Sequence, residues 1–574
     1  MWNFRADFSP GRNDGFSNEW WKFPLKKTGN VIPMPVPSSF NDITTDFKLR
    51  EYVGWVWYDR EVYASSDWRN KRVVLRIDSA HYFTQVWLNG VEVMSHVGGH
   101  LPFEAKVNDA LKFGQINLLT VAVNNTLSPL TLPPGTVHYA NDPKSYPPGY
   151  FTMTGQFDFF NYAGIHRSVR LYTTPTVYVD DITIITKNAS RSQVAQSDRL
   201  VNSITISNPT LWRPYSEDLK NPGYQYTLKV ELRNSMNGEI DVYRQKFGIR
   251  TIRWTDTQLL INDKPFYCHG VAKHEDSDIR GKGLDYPLIA RDFNMLNWLG
   301  ANCFRTSHYP YAEEIMDQAD AQGVVVFDES PGVGISKTNM GPENLKHHLD
   351  VMKELVRRDK NRPSVIIWSV ANEPQSNYDE ARDYFKSVID FTRKLDPTRP
   401  ISFADAQNYD TCKAAQFVDI IFVNRYYSWY SDMGHTEVVA YQLPENLNGW
   451  HNKFKKPVII TEYGADTISG LHTEPANPFS EEYQAKMLES YHKVFDDLKK
   501  KFLVGEMVWN FADFMTDYAV NRVNGNKKGL LTRQRQPKAA AHRIRERYWR
   551  IINANNSTLF RYDSQARRRS FIKL

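Results

Sequence analysis

The chain has 574 residues, of which 41% are hydrophobic and 24% are charged. This length and composition fit about three or four globular domains, and they exclude a largely disordered chain. The net charge of +6 is small and the basic residues are dispersed, apart from a run at 567–569, so nucleic acid is not an expected partner. No apolar run approaches the roughly 18 residues of a membrane span, which argues against a membrane partner.

Three cysteines occur in the chain, Cys268, Cys303 and Cys412. This odd and sparse count excludes a disulfide framework and provides no set with the spacing of metal ligands. We therefore predict no metal site.

The first residues, Met1 to Arg5, contain no apolar signal core, so they do not identify a compartment. Three acceptor triplets for N-linked glycans favour secretion only weakly, because such triplets often arise by chance. They begin at Asn124, Asn188 and Asn555.

Residues 1–178 are rich in aromatic side chains, short alternating runs and turn residues, and they show no long helical period. The runs Val53 to Tyr58, Val73 to Ile77 and Thr84 to Gly90 are typical of strands. Asn89-Gly90 is a strong signal for a tight hairpin. We predict a jelly-roll β-sandwich, of the sugar-binding type, for this first domain.

The β character continues over residues 179–251. The runs Asp181 to Ile185, Tyr226 to Leu232 and Gln245 to Arg250 predict further strands. We predict an immunoglobulin-like β-sandwich. The stretch is shorter than the roughly 100 residues typical of that fold, so we expect a shortened domain that lacks strands.

After Thr251, strand-like runs alternate with amphipathic stretches such as Leu345 to Asp359 and Glu481 to Lys501. This alternation predicts a catalytic (β/α)8 barrel for residues 252–574, which includes a C-terminal tail. The eight runs are Phe266–Val271, Asn302–Thr306, Val324–Asp328, Val365–Glu373, Ile401–Ala404, Asp419–Asn424, Val458–Glu462 and Val504–Asn510.

The fourth and seventh runs end in a glutamate, Glu373 and Glu462. Each run is short, apolar and bounded by turn residues, which is typical of a buried parallel strand. Because the carboxyl ends of barrel strands form the active-site face, we expect the two carboxyl groups to converge. The alternative is that both are strand-end acids in ordinary ion pairs.

Two such carboxyl groups suit the cleavage of a glycosidic bond. One protonates the leaving oxygen, and the other stabilises the cationic sugar of the transition state. Asn372 places an amide donor beside Glu373, where it can hold a sugar 2-hydroxyl. Gly464 follows Glu462 and frees the backbone to turn away.

Longer stretches carry a resemblance that covers nearly the whole chain in order. They are Phe157–Gly164, Lys273–Asp276, Arg305–Tyr311, Ser369–Pro374, Asn424–Tyr430, Trp509–Phe514 and Asn526–Gly529. On these stretches the chain resembles the β-glucuronidases of glycoside hydrolase family two, most closely the lysosomal enzymes of animals.

The resemblance implies a retaining mechanism in which Glu373 is the general acid/base and Glu462 is the nucleophile, contacted by Tyr426. It implies no metal or organic cofactor. The residues implied to line the sugar pocket are Asp158, His308, Asn372, Asn424, Tyr430 and Trp509, and those implied to read the uronate carboxylate are Arg522, Asn526 and Lys528.

The chemistry of the uronate-reading group agrees with this implied role. A glucuronide differs from a glucoside by one carboxylate, and Arg522 and Lys528, on either side of Asn526, supply cationic donors for it. All three follow the eighth strand and therefore lie on the active-site face. The alternative for this turn is a solvated basic loop.

Two other functions stay open. A β-galactosidase or β-mannosidase of the same family would use the same chemistry on another sugar, and the uronate-reading group argues against it. A second domain without all its strands would expose sheet edges, so the chain could instead be a poorly folding, inactive form that acts at most as a carbohydrate-binding protein.

The resemblance also implies a biological setting. It implies a lysosomal glycoprotein that acts as a homotetramer on β-glucuronides, including the ends of glycosaminoglycan chains during their degradation. The N-terminal residues by themselves support no compartment.

Overall fold

The computed structural model describes residues 1–186 and 204–555. Within these ranges a β-sandwich is followed by a short antiparallel β-segment and then by a closed barrel. Of the glycosylation candidates, Asn188 lies outside the described residues, Asn124 ends a strand of the first domain and Asn555 is the last residue of the last helix.

The first domain consists almost entirely of strands. In chain order they are β1 (Trp2–Ala6), β2 (Ile32–Met34), β3 (Trp55–Ala64), β4 (Arg72–Ile77), β5 (Ala80–His81), β6 (Phe83–Leu88), β7 (Val91–Val97), β8 (Phe103–Lys106), β9 (Gln115–Asn124), β10 (Gly135–Tyr139), β11 (Phe151–Gly155), β12 (Gly164–Ile165) and β13 (Val169–Thr174). Two single-turn helices accompany them, α1 (Asp14–Ser17) and α2 (Phe47–Arg50).

Two sheets of this domain pack face to face. The larger has the order β2-β1-β3-β9-β6-β7, and the smaller has the order β13-β4-β8. Side chains from both sheets, such as Tyr58, Val121 and Leu75, are buried in one hydrophobic core. Burial of alternate residues on each sheet stabilises the sandwich. The predicted β-sandwich is confirmed.

The hairpin predicted at Asn89-Gly90 joins β6 to β7. Both residues have positive φ angles, 53° and 84°, as a type I′ turn requires. Glycine adopts this conformation without steric cost. Asn89 is held there because its amide donates to the Ala110 carbonyl (2.7 Å) and accepts from the Leu118 N–H (3.1 Å).

The second domain contributes one antiparallel pair, β14 (Tyr226–Arg233) and β15 (Ile240–Phe247). Side chains along β14 alternate between half-buried and exposed positions, so one face of the ribbon is more shielded from solvent than the other. Within residues 204–251 no further strand joins this pair, in line with the shortening that we expected.

The strand predicted at Asp181 to Ile185 is wrong, because residues 181–186 form no strand. Their backbone is bound by the barrel instead. The Asn361 side chain accepts from the Ile184 N–H (2.8 Å) and donates to the Ile182 carbonyl (2.7 Å). One amide side chain therefore satisfies a donor and an acceptor that a neighbouring strand would otherwise have paired.

A small antiparallel sheet precedes the barrel and covers its N-terminal end. It consists of β16 (Ile252–Trp254), β17 (Leu259–Ile261) and β18 (Lys264–Pro265). Leu259 and Ile261 are buried in one cluster with barrel residues such as Ile366. The barrel interior is therefore a packed core at this end, which leaves the opposite end for a site.

Eight parallel strands form a closed barrel, which confirms the prediction. All of their residues are buried, which explains why each strand is an apolar run in the sequence. The strands are β19 (Cys268–Ala272), β20 (Cys303–Arg305), β21 (Val325–Glu329), β22 (Val365–Asn372), β23 (Ile401–Asp405), β24 (Ile421–Asn424), β25 (Val458–Glu462) and β26 (Leu503–Val508).

Helices on the outside of the barrel separate most of its strands. They are α3 (Tyr286–Leu299), α4 (Glu313–Gln322), α5 (Pro342–Asp359), α6 (Glu380–Leu395), α7 (Val439–Phe454), α8 (Glu481–Leu498) and α9 (Ala539–Asn555). Short 3-10 helices lie at Trp20–Lys22, Leu25–Lys27, Ser66–Trp68, Asn108–Ala110, Lys337–Asn339 and Thr436–Val438. No helix within the described ranges is long and apolar enough to span a bilayer.

Cys268 of β19 and Cys303 of β20 form a disulfide, whereas Cys412 is buried with a free thiol. The cysteine count did not predict this bond. The two residues are 35 positions apart and become neighbours only because β19 and β20 are adjacent in the barrel.

A buried ion pair fastens the last helix to the barrel. Arg547 of α9 donates to both carboxylate oxygens of Glu506 on β26, at 2.6 and 2.8 Å. Tyr267 adds a third donor at 2.6 Å. Burial alone would raise the pKa of Glu506, but Arg547 lowers it to about 2. The carboxylate is therefore ionised at neutral pH.

We predict that Glu506→Ala destabilises the barrel by about 3–5 kcal/mol, because it removes the buried partner of a buried cation. Urea unfolding followed by tryptophan fluorescence measures this loss. The control is Arg543→Ala on the same helix, whose pair with Glu489 is exposed and contributes at most about 1 kcal/mol. Equal unfolding midpoints for the two variants would contradict the role of the buried pair.

Candidate active site

A cavity of about 780 Å³ opens at the C-terminal end of the barrel strands. Glu373 follows β22 and Glu462 ends β25, and both line this cavity. The two glutamates therefore converge as predicted, from strands that are far apart in the sequence. Other predicted residues that line the cavity are Asp158, His308, Asn372, Asn424, Tyr426, Tyr430, Trp509 and Arg522.

Glu373 sits in a strained backbone conformation at the end of β22. Its φ angle of 46° lies in the left-handed region, which residues with a side chain rarely adopt. Such strain concentrates at functional positions. The carboxyl accepts from Asn424 Nδ2 at 2.7 Å, and the amide oxygen of Asn424 is held by Thr461 at 2.7 Å.

Glu462 is held by two donors. Arg305 Nη2 donates to Oε1 at 2.5 Å, and the Tyr426 hydroxyl donates to Oε2 at 2.6 Å. Each carboxylate oxygen therefore has its own donor, which fixes the orientation of the group. The contact that the sequence predicted between Tyr426 and Glu462 is present.

Arg305 is fully buried and bridges two acids. Its Nη1 donates to both oxygens of Glu329, at 2.7 and 2.8 Å, while Nη2 binds Glu462. Glu329 also accepts from Ser369 at 2.7 Å. Arg305 and Glu329 are not among the site residues that we predicted from the sequence. Their position at the ends of the second and third barrel strands was the signal that could have found them.

Burial is the main cause that raises the pKa of both glutamates, Glu373 and Glu462. Arg305 opposes this effect at Glu462, and the Asn424 hydrogen bond opposes it at Glu373. A cation and a phenol donate to Glu462, whereas a neutral amide donates to Glu373. Burial raises the pKa of Glu462 to about 8, and the charge of Glu373 adds to this rise, so the two carboxyl groups do not ionise together readily.

His308 and Trp509 form one wall of the cavity. Their rings stack with centroids 5.0 Å apart. Burial lowers the pKa of His308 to about 4, so the ring is neutral. Its Nδ1 lies 2.9 Å from Glu329 and must carry the proton to donate there. The other ring nitrogen is then an acceptor, suited to a sugar hydroxyl.

A cluster of cations and acids lies beside the cavity, and Asp158, Tyr430 and Arg522 of this cluster line it. Arg522 donates to Asp158 through Nε (2.9 and 3.0 Å) and Nη2 (2.6 Å). The Asn526 amide donates to the same carboxylate at 2.8 Å. Lys528 pairs with Asp466 and donates to the Tyr430 hydroxyl at 3.0 Å.

Asn526 and Lys528 do not line the cavity, although we grouped them with Arg522. Both are fully buried behind Asp158 and Tyr430. Of the three, Arg522 alone reaches the cavity wall. The sequence predicted the correct face of the barrel for these residues. It could not show that Arg522 and Lys528 form ion pairs with Asp158 and Asp466 of the protein itself.

Besides the two glutamates, five carboxamide side chains line the cavity that were not among the predicted site residues. These are Gln156, Gln375, Gln407, Asn408 and Asn446. They come from three loops and helix α7, and only Gln407 and Asn408 are neighbours in the chain, so no local pattern in the sequence marks the set. Each offers a donor and an acceptor to a polar group.

Three family models match successive parts of the chain. The one described as the sugar binding domain of glycosyl hydrolases family 2 matches residues 1–175. The second, described as glycosyl hydrolases family 2, matches residues 151–250. The third, described as the TIM barrel domain of that family, matches residues 252–553.

Curated relatives are similar over nearly the full length. A beta-glucuronidase of Canis lupus familiaris is 51% identical, over 96% of this chain and 90% of that protein. The beta-glucuronidase of Homo sapiens is 49% identical over the same shares of the two chains.

Solved structures agree with the sequence comparison. The beta-D-glucuronidase of Dictyoglomus thermophilum superposes with a TM-score of 0.85 at 42% identity, over 96% of both chains. A Ruminococcus gnavus β-glucuronidase in complex with uronic deoxynojirimycin gives 0.87 at 38% identity, over 95% of this chain and 96% of that one. With all three models matched in order and with relatives at about half identity, the chain belongs to glycosyl hydrolase family 2.

Proposed function

We propose that the chain is a retaining β-glucuronidase that releases glucuronate from β-D-glucuronides. One observation carries this proposal: Glu373 and Glu462 meet in a single cavity that also contains the Arg522 guanidinium. Two carboxyl groups are the catalytic groups that a glycosidase needs. A cation beside them favours the binding of a sugar that carries a carboxylate. The names of the full-length relatives support the same activity.

The proposed reaction has two displacements. Glu462, ionised and oriented by Arg305 and Tyr426, attacks the anomeric carbon while Glu373 gives its proton to the leaving oxygen. A covalent glucuronyl-enzyme forms. Water, deprotonated by Glu373, then displaces Glu462, and the product keeps the β configuration. The carboxyl groups supply the nucleophile and the proton, so the mechanism requires no metal or organic cofactor.

Glu373 must give a proton first and take one later. The negative charge of Glu462 favours the protonated form of Glu373 in the free enzyme. That charge disappears when Glu462 becomes an ester. Glu373 is then more acidic and can act as the base for water. Asn424 donates to Glu373 at 2.7 Å, and Asn372, which also lines the cavity, provides the amide for the sugar 2-hydroxyl.

Uronate selectivity rests on the cationic cluster. Arg522 offers its guanidinium to the C6 carboxylate, and Asn526 and Lys528 support it from behind. A β-galactosidase or β-mannosidase would have no use for this arrangement at C6, because its substrate is neutral there. We therefore rank those activities second, and an inactive carbohydrate-binding form third.

The direct test is hydrolysis by the purified chain. We expect cleavage of an aryl β-D-glucuronide, at least about 100-fold faster than of the matching β-galactoside or β-mannoside, since a buried charge contact contributes about 2–5 kcal/mol. NMR at early times should show the β anomer of glucuronate. An initial α anomer, or a preference for either neutral glycoside, would overturn the proposal.

We place the activity in a lysosomal setting, with β-glucuronide ends of glycosaminoglycans among the substrates and a homotetramer as the working form. These proposals follow the family resemblance.

The domain limits 1–178, 179–251 and 252–574 remain predictions, as do the glycosylation sites. At the first of these sites, the side-chain oxygen Oδ1 of Asn124 accepts from the Thr126 N–H (2.9 Å), and the side-chain nitrogen Nδ2 is the atom that would carry a glycan.

We predict that Glu462→Gln abolishes turnover, because the amide cannot form the covalent intermediate. The circular dichroism spectrum should match that of the wild type. Glu445→Gln on α7 is the control, since Glu445 is exposed and should keep full activity. Measurable hydrolysis by a preparation of Glu462→Gln free of wild-type enzyme would remove Glu462 from the nucleophile role.

We predict that Glu373→Ala slows the cleavage of unactivated alkyl glucuronides by about 10²–10⁴-fold, since general acid catalysis contributes this much. Dinitrophenyl glucuronides need less protonation and should lose less in the first step. Azide should restore turnover by attacking the glucuronyl-enzyme. Equal losses on both substrates, with no glucuronyl azide formed, would refute the acid/base role.

We predict that Arg522→Gln lowers the ratio of glucuronide to glucoside hydrolysis by about 30-fold, because about 2 kcal/mol of charge contact is lost. Steady-state kcat/KM on paired nitrophenyl glycosides measures the ratio. Arg382→Gln on α6 is the control for a loss of charge at an exposed position. An unchanged ratio would show that Arg522 does not read the uronate.

A further inference from the structure

A Gly-Lys-Gly segment of the barrel, Gly281-Lys282-Gly283, passes directly beneath the first domain. A Cβ atom on Gly281 would lie 2.5 Å from the Tyr162 ring, and one on Gly283 would lie 2.6 Å from Ser38 Cα. Neither position has room for a side chain. The two glycines therefore allow the backbone to come close enough to deliver the Lys282 side chain into the interface.

Lys282 is buried, with 5% of its surface exposed. It makes no ion pair within 4 Å in the described part of the chain. The nearby acids Glu275 and Asp276 are bound by Arg167 (3.1 Å) and Arg533 (2.5 Å).

Aromatic rings surround the ammonium group instead. Its Nζ lies 3.7 Å from the centre of the Tyr309 ring and 4.7 Å from the centre of the Phe159 ring. Both distances are typical of cation–π contacts.

Burial lowers the pKa of Lys282 to about 7. Arg167 adds to this effect, whereas Glu275 and Asp276 oppose it. A cation at this position therefore costs stability. An apolar side chain of the same length would fill the space without that cost, so packing alone does not explain the lysine.

Phe159 connects Lys282 to the substrate cavity. Its ring stacks on Phe157 with centroids 4.3 Å apart, and Phe157 lines the cavity. Asp158 lies between the two phenylalanines in the chain and projects to Arg522 and Asn526. The orientation of both rings therefore sets where the Asp158 carboxylate points.

We propose that Lys282 is a positioning residue, whose ammonium group holds the Phe157–Phe159 loop so that Asp158 meets the uronate-reading cluster. It touches no substrate and acts through Asp158. This inference rests on the proposed β-glucuronidase function, and it concerns the affinity for the uronate rather than the cleavage step.

The test is a double-mutant cycle with Lys282→Met and Asp158→Ala, because methionine keeps most of the side-chain volume and removes the charge. We expect Lys282→Met alone to raise KM for an aryl glucuronide about tenfold, with kcat within about twofold. When Asp158→Ala is already present, the addition of Lys282→Met should change KM less than twofold. The thermal midpoint of Lys282→Met should equal or exceed that of the wild type, because a buried charge is gone.

If Asp158→Ala is too slow to assay, the same cycle is measured as glucuronate affinity by calorimetry, with Glu462→Gln in every variant. An unchanged KM or affinity, equal changes in both backgrounds, or a lowered thermal midpoint with kcat and KM both impaired would each overturn the inference. These results are separable from a failure of the proposed function, in which the wild-type chain itself would neither cleave nor bind a glucuronide.

Discussion

The site depends on one buried cation held between two acids. Arg305 is fully enclosed at the end of β20 and binds Glu329 on one side and Glu462 on the other. The two acids neutralise the buried guanidinium, and the same cation offsets the cost of burying the two carboxylates. Arg305 opposes the rise that burial causes in the pKa of Glu462, and its hydrogen bond fixes the direction of that carboxyl group. Glu329 also gives His308 its tautomer, because it accepts from the imidazole.

The architecture of the barrel was predictable because its physical cause lies in short stretches of sequence. Strands buried on both faces are mainly apolar, so each barrel strand is visible as a mostly apolar run, with few polar exceptions such as Glu506. The parallel arrangement then sends every strand end to the same face. Glu373 and Glu462 follow from these two rules without knowledge of any contact. The Asn89-Gly90 turn was equally local, since the positive φ angles restrict the residue types.

What the sequence did not reveal depends on partners that come from elsewhere in the chain. Glu329 ends the third barrel strand, and only its pairing with Arg305 distinguishes it from a structural acid. The segment 181–186 has a strand-like composition, yet Asn361 of the barrel takes its backbone hydrogen bonds. Cys268 and Cys303 become neighbours only across two paired strands. The hydrophobic pattern of a sequence indicates which residues are buried, but it does not indicate which polar groups will form hydrogen bonds with each other.

Asp158 reaches the cavity from the first domain, whereas both central glutamates belong to the barrel. The pocket therefore combines side chains from two structural units: the two central glutamates and Arg522 come from the barrel, and the carboxylate that binds Arg522 comes from the first domain. In evolution each could be altered with little disturbance of the other, because a change in the loop that carries Asp158 leaves Arg305, Glu373 and Glu462 untouched. Modularity of this kind explains how one scaffold can serve many glycosides with a single set of reacting groups.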